Sequence, residues 1–174
     1  MRNVLQKNSP IVLIVSLLVL GASTWMLLGA MDAGPDFDRK WMYDLAADEL
    51  VVAPKTQLAP SDASGRTFDY PDAGSAGSLV DAVLYGCGNH GQPKPGMSRD
   101  QLASRGVHIG YLSRYPDPVK AALEAGESLG GDAPHLIADA SGAAWVRELS
   151  PQGDAILAAL SDLCGGDVPR AIRP

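Results

Sequence analysis

Two cysteines and a neighbouring histidine are the residues of this sequence best suited to chemistry. Cys87 and His90 stand three apart within Gly86-Cys87-Gly88-Asn89-His90-Gly91, and Cys164 follows far downstream. Two thiolates and an imidazole are zinc ligands, a thiol beside an imidazole is a nucleophile with its base, and two thiols can close a disulfide. A lone Cys-x-x-His lacks the second close pair that frames a structural metal site, and an exported chain meets an oxidising compartment. A Cys87–Cys164 disulfide is therefore the favoured expectation. Separate thiols and a metal site of Cys87, His90 and Cys164 are the alternatives.

The same glycines match G-x-G-x-x-G after an apolar run, as a dinucleotide loop would. Gln92-Pro93-Lys94-Pro95-Gly96 cannot begin the helix whose amides would receive a pyrophosphate, so no nucleotide is expected. His90, His108 and His135 are the only histidines, and no G-x-S-x-G elbow accompanies them. No catalytic residue and no cofactor is assigned on these grounds. Asp32, Asp36 and Asp38 lack the spacing of a calcium loop and read as a solvated flank.

The elements that must hold these residues begin with a membrane segment. Ile11 to Met31 is an uncharged run of 21 residues, and as a helix it would span roughly 31 Å, the thickness of the bilayer hydrocarbon. Arg2 and Lys7 precede it and acidic residues follow it, which keeps the flank 1–10 in the cytoplasm and sends the rest across. A cleaved signal peptide is the competing reading, but the run exceeds a normal signal h-region. The expected location is the bacterial cytoplasmic membrane, single-pass, with the bilayer as partner of residues 11–31.

The whole chain of 174 residues carries −6, with 46% hydrophobic and 20% charged residues. That is the composition of a folded domain. Two of the 14 basic residues precede the apolar run and all 20 acidic ones follow it, so residues 32–174 carry 12 basic against 20 acidic groups, a net −8. Such a surface argues against nucleic acid, whose phosphates need clustered Lys and Arg.

After a juxtamembrane stretch, 32–40, the domain is expected to occupy residues 41–174. Trp41–Leu45 and Leu50–Ala53 read as a hairpin closed by Pro54. Residues 54–78 are rich in Pro, Gly, Ser and Asp and read as a long flexible loop. Leu79–Tyr85 reads as a central strand. Ser98 to Gln101 fits a capping box, Val107–Leu112 a strand, and Asp117-Pro118 a helix start. His135–Ala138 and Ala144–Val146 suggest a second hairpin, and Ser150-Pro151 caps an apolar-striped helix over 152–163. Trp41, Tyr43 and Trp145 are expected in the core or at the membrane interface. The order of elements predicts an α+β fold with a mainly antiparallel sheet and two or three short helices.

The strings Trp41-Met42-Tyr43-Asp44-Leu45 and Glu49 to Pro54, with Ile109-Gly110-Tyr111-Leu112 and Trp145-Val146, resemble a group of uncharacterised single-pass proteins of planctomycete-type bacteria. The likeness covers most of residues 11–163. It implies a membrane-tethered exported domain and carries over no catalytic residue. The functional expectation is a non-enzymatic accessory or interaction domain with a membrane or exported protein partner. The alternative is an exported thiol- or metal-dependent protein using Cys87, His90 and Cys164.

Overall fold

The computed structural model describes Val19 and residues 38–129 and 133–174. Arg2, Lys7 and, Val19 apart, the anchor from Ile11 to Met31 fall outside the described residues. Among the described residues no helix is long and apolar enough to cross a membrane. The chain divides into two compact units, 1–35 and 36–174, and the second holds every element named below.

That unit is the small, mainly antiparallel α+β domain expected from the sequence. Strands β1 (Arg39–Asp44), β2 (Glu49–Pro54), β5 (Leu79–Gly86), β6 (Val107–Arg114), β7 (Leu136–Ala138), β8 (Val146–Arg147) and β9 (Arg170–Ile172) form one sheet. Its order is β2-β1-β5-β6-β7-β8, with β9 attached to β5. Every pairing is antiparallel. Helices α1 (Arg99–Ala103), α2 (Asp117–Glu124) and α3 (Pro151–Ala158) are short, and a 3-10 turn at Ala159–Asp162 extends α3.

The β1–β2 hairpin forms because aromatic and β-branched residues flank a turn that its own side chains close. Asp44 accepts hydrogen bonds from the Ala46 and Ala47 amides at 3.0 and 3.2 Å. Asp48 takes a positive φ of 53°, a conformation Asp tolerates better than most residues. The Tyr43 hydroxyl donates to Asp48 Oδ1 at 2.6 Å and accepts from the Arg99 amide at 3.0 Å, which joins the turn to the start of α1. Burial, then the bond to Asp48, pushes the Tyr43 phenol up to about 12. The capping box at Ser98 is present, with Ser98 and Gln101 satisfying each other's backbone amides. Helix α2 starts at Asp117 itself, without a side-chain cap.

The loop expected over 54–78 is corrected. Thr67–Tyr70 and Gly74–Gly77 pair as a two-stranded ribbon, β3 and β4, and Tyr70 is buried in the core. Ser61 exchanges both backbone hydrogen bonds with Leu79 at 2.9 and 3.0 Å, so the segment is stitched to the start of β5. Phe68 and Tyr70, each beside a polar residue, supply the period-two pattern of a strand.

Strand β5 is central, as its apolar run implied. Between Val83 and Leu84 its register with β6 shifts, leaving Gly110 as the extra residue of a bulge. A Cβ on Gly110 would lie 2.5 Å from the Tyr85 ring, so only glycine fits there. The main core gathers Trp41, Tyr43, Leu50, Leu84, Leu102 and Leu112, while a smaller cluster of Met42, Ala53, Ala59 and Leu79 forms separately. Trp145 is half-buried against the main core, so all three expected aromatics serve packing.

Candidate functional site

Cys87 follows the end of β5, and Cys164 follows the 3-10 turn. The two form a disulfide, with Cα atoms 5.3 Å apart across a separation of 77 residues. The Cys87 amide is also tied to the Gly106 carbonyl at 2.9 Å. The pairing expected from the sequence is therefore present, and it removes both sulfurs from nucleophilic or metal-binding service. In this state the alternative set of Cys87, His90 and Cys164 has no free thiolate to offer. His90 places its ring where a Cβ on Gly86 would stand, and its Nδ1 is 3.3 Å from the Gly91 carbonyl oxygen. Among the described residues no group of three or more His, Cys, Asp or Glu is arranged to hold a metal.

The other histidines sit on separate elements. His108 pairs with Tyr85 across β5 and β6. The His135 ring lies 4.4 Å from that of Tyr115, and its Nδ1 is 3.9 Å from Glu148 Oε2. Near them Lys40 Nζ lies 2.6 Å from Asp81 Oδ1, in the middle of the sheet. Burial raises the Asp81 carboxyl above its ordinary range, against the opposing pull of Lys40 and then His135.

A second arrangement was not singled out in the sequence. The Arg114 side chain is fully buried, and its Nη2 reaches both carboxylate oxygens of Asp72 at 2.5 and 2.6 Å. The guanidinium carbon lies 4.4 Å from the Tyr70 ring centroid and 5.0 Å from that of Trp145. Burial raises the Tyr70 phenol although Arg114 opposes it. These contacts clamp the β3–β4 ribbon to the end of β6. The signal in the sequence was a charged residue at an inward position of an alternating strand.

The concave feature of greatest chemical interest lies at a fork in the sheet. β6 occupies one edge of β5 over Asp81–Gly86. On the other edge β1 pairs only with Leu79–Asp81 and β9 only with Leu84–Gly86. Ala82 and Val83 form the vertex where β1 and β9 part. A groove of about 360 Å³ opens there, floored by Ala82, Val83, Leu84 and Ile172. Arg39, Lys40, Lys55 and Arg173 also line it, Lys40 being the partner of Asp81. Trp41 lines it too; this side chain is only 6% exposed, and its Nε1 is buried without a hydrogen-bond partner. No family model, curated protein or solved structure matches the chain.

Proposed function

We propose that this protein is a membrane-anchored extracytoplasmic accessory domain, non-enzymatic, that works by interaction within a membrane-associated assembly. The observation that carries this reading is the Cys87–Cys164 disulfide. A bond between the chain's only two cysteines suits an oxidising compartment, in keeping with export past the apolar run Ile11–Met31. It also occupies the sulfurs that a thiol or zinc enzyme would need. Arg2 and Lys7 ahead of the run support an N-terminus in the cytoplasm.

The test is thiol titration with metal analysis on protein extracted from its native membrane without reductant. No alkylated cysteine and no stoichiometric metal are expected. A free thiol of depressed pKa, or one bound metal per chain, would overturn the non-enzymatic reading. In parallel, protease added to intact spheroplasts should degrade residues 32–174 and spare the anchor; protection of the whole chain would overturn the orientation.

A further inference from the structure

We propose that the groove between the outer edge of β6 and helix α3 binds an extended peptide segment of a partner chain, alternating apolar and basic residues, which adds to β6 as a strand. This partner chemistry rests on the interaction reading above, but the groove is tested by direct binding, so a failure here leaves the thiol and protease outcomes untouched.

The edge is open. β5 pairs with β6 from Val107 to Ser113, whereas β7 pairs with it only over Leu112–Arg114. Asp139 then turns the chain away: its carbonyl accepts the Gly142 amide at 3.1 Å, and its Oδ1 accepts the Ser141 amide at 2.9 Å. Among the described residues no strand takes the outer edge of β6 over Val107–Tyr111, and no loop backbone hydrogen-bonds to Ile109 or Gly110. Such an edge is a template for another strand.

A groove of about 470 Å³ lies between this edge and α3, with Ile109 and Gly110 on one wall and Ala155, Ile156, Ala159 and Leu160 on the other. Gly110 lets the helix approach, since a Cβ there would stand 2.8 Å from Leu160 Cδ2. The small side chains of Ala155 and Ala159, both exposed, leave room for an apolar side chain of the incoming segment. A helical occupant would spend its backbone groups internally and leave the edge unpaired. An extended one pairs with the edge and turns alternate side chains to opposite faces.

Charge selects the remaining positions. Asp139 is the one charged residue lining the groove among the described residues. Asp162 is exposed and stands three after Ala159 within the 3-10 turn, where side chains three apart eclipse. Neither carboxylate is in an ion pair among the described residues. Basic side chains flanking the apolar one complement both.

The full chain with 13C-labelled isoleucine methyls, in phosphatidylcholine nanodiscs, is titrated with acetyl-KVKVK-amide. Ile109 and Ile156 report from the two walls, and Ile137, fully buried in the sheet, is the folded reference. The first two signals should move saturably and leave Ile137 in place. Asp139→Asn, which keeps an acceptor for the Ser141 amide, should weaken binding about fivefold, as loss of one exposed charge pair does. Ala159→Phe, at an exposed position, should fill the groove and abolish binding while Ile137 shows the variant folded. The same peptide N-methylated at every residue, and so without strand donors, should not bind. No movement with the parent peptide would overturn the proposal, as would equal movement with the N-methylated peptide, with acetyl-EVEVE-amide or with decylammonium. Movement on raising the protein concentration alone would assign the groove to a second copy of the chain and overturn it too.

Discussion

Arg114 lies with its guanidinium carbon 4.4 Å from the ring centroid of Tyr70. One buried cation thereby joins the last residue of β6 to the ribbon, beside the Ser61–Leu79 bonds and the burial of Tyr70 that also hold it. The ribbon offers an aromatic face at Tyr70 and a carboxylate at Asp72, while Trp145 adds a second ring 5.0 Å away. Tyr70 is itself fixed from behind, because its hydroxyl donates to the Gly77 carbonyl at 2.8 Å across the ribbon. A planar guanidinium stacks on both rings while its Nη2 alone holds the carboxylate, and a compact ammonium has no such face to stack.

Arg114→Lys should therefore destabilise the domain by about 2 kcal/mol, and Asp72→Ala by about 2–3 kcal/mol, because the latter leaves a buried charge without its carboxylate. Asp72 is partly exposed, which keeps its figure below that of a fully buried pair. Urea unfolding followed by tryptophan fluorescence measures both. Variants as stable as the parent would show that the clamp contributes nothing.

The elements legible in the sequence were those whose signal is local. Tyr43 and Leu50 flank a turn, Ser98 and Gln101 are one cap apart, and Leu79–Tyr85 is an unbroken apolar run. Each matches its observed hairpin, box or central strand. The ribbon at Thr67–Tyr70 was hidden because its two aromatics stand inside a stretch of Gly, Ser and Asp that reads as loop. Strand β9 was missed because three residues between prolines carry no periodicity, and only pairing with Leu84–Gly86 makes them a strand. The Cys87–Cys164 bond was accessible because there were only two cysteines to pair. The groove was not, since Arg39, Lys55 and Arg173 converge only through the sheet's fork.

Replacing both cysteines by serine should lower stability by roughly 4 kcal/mol, the chain-entropy value for a loop of this length. Each chain end of the bond follows a packed element, so the folded state should survive with its sheet intact. Urea midpoints of the parent and the double variant, with circular dichroism at zero denaturant, check both parts. An unchanged midpoint would mean that the bond constrains nothing in the unfolded chain.

Asp44 should make the domain sensitive to acid. Burial alone would raise its carboxyl, but bonds from Ser78, Arg66, Ala47 and Ala46 outweigh burial and hold it below the ordinary range. A depressed folded value means that this stability is present above the unfolded value of about 3.9 and is lost as pH falls through the folded one. Asp44→Asn should thus cost about 2 kcal/mol at pH 7, and its deficit against the parent should shrink toward pH 2. Unfolding curves across that range measure it; a deficit independent of pH would assign the loss to packing.

Asp81 works in the opposite sense, and Lys40 is the lever. Its folded value is raised, chiefly by burial, so ionising it weakens the fold. That penalty is absent below the unfolded value of about 3.9, grows as pH rises, and is complete once pH passes the folded value. Lys40 offsets part of it from 2.6 Å away. Lys40→Ala removes that offset, moves the folded value of Asp81 further up, and extends the window of loss to higher pH. The variant should be about 2 kcal/mol less stable than the parent at pH 7, because a buried carboxylate loses its partner. At pH 3.5 the gap should narrow to the small loss of the lysine stem's packing. Lys40→Ala with Asp81→Asn should recover most of the pH 7 loss, since no charge is then buried. Urea titrations of the three proteins at both pH values decide it. A gap of equal size at pH 3.5 and pH 7 would show that Lys40 acts through its stem and not through its charge.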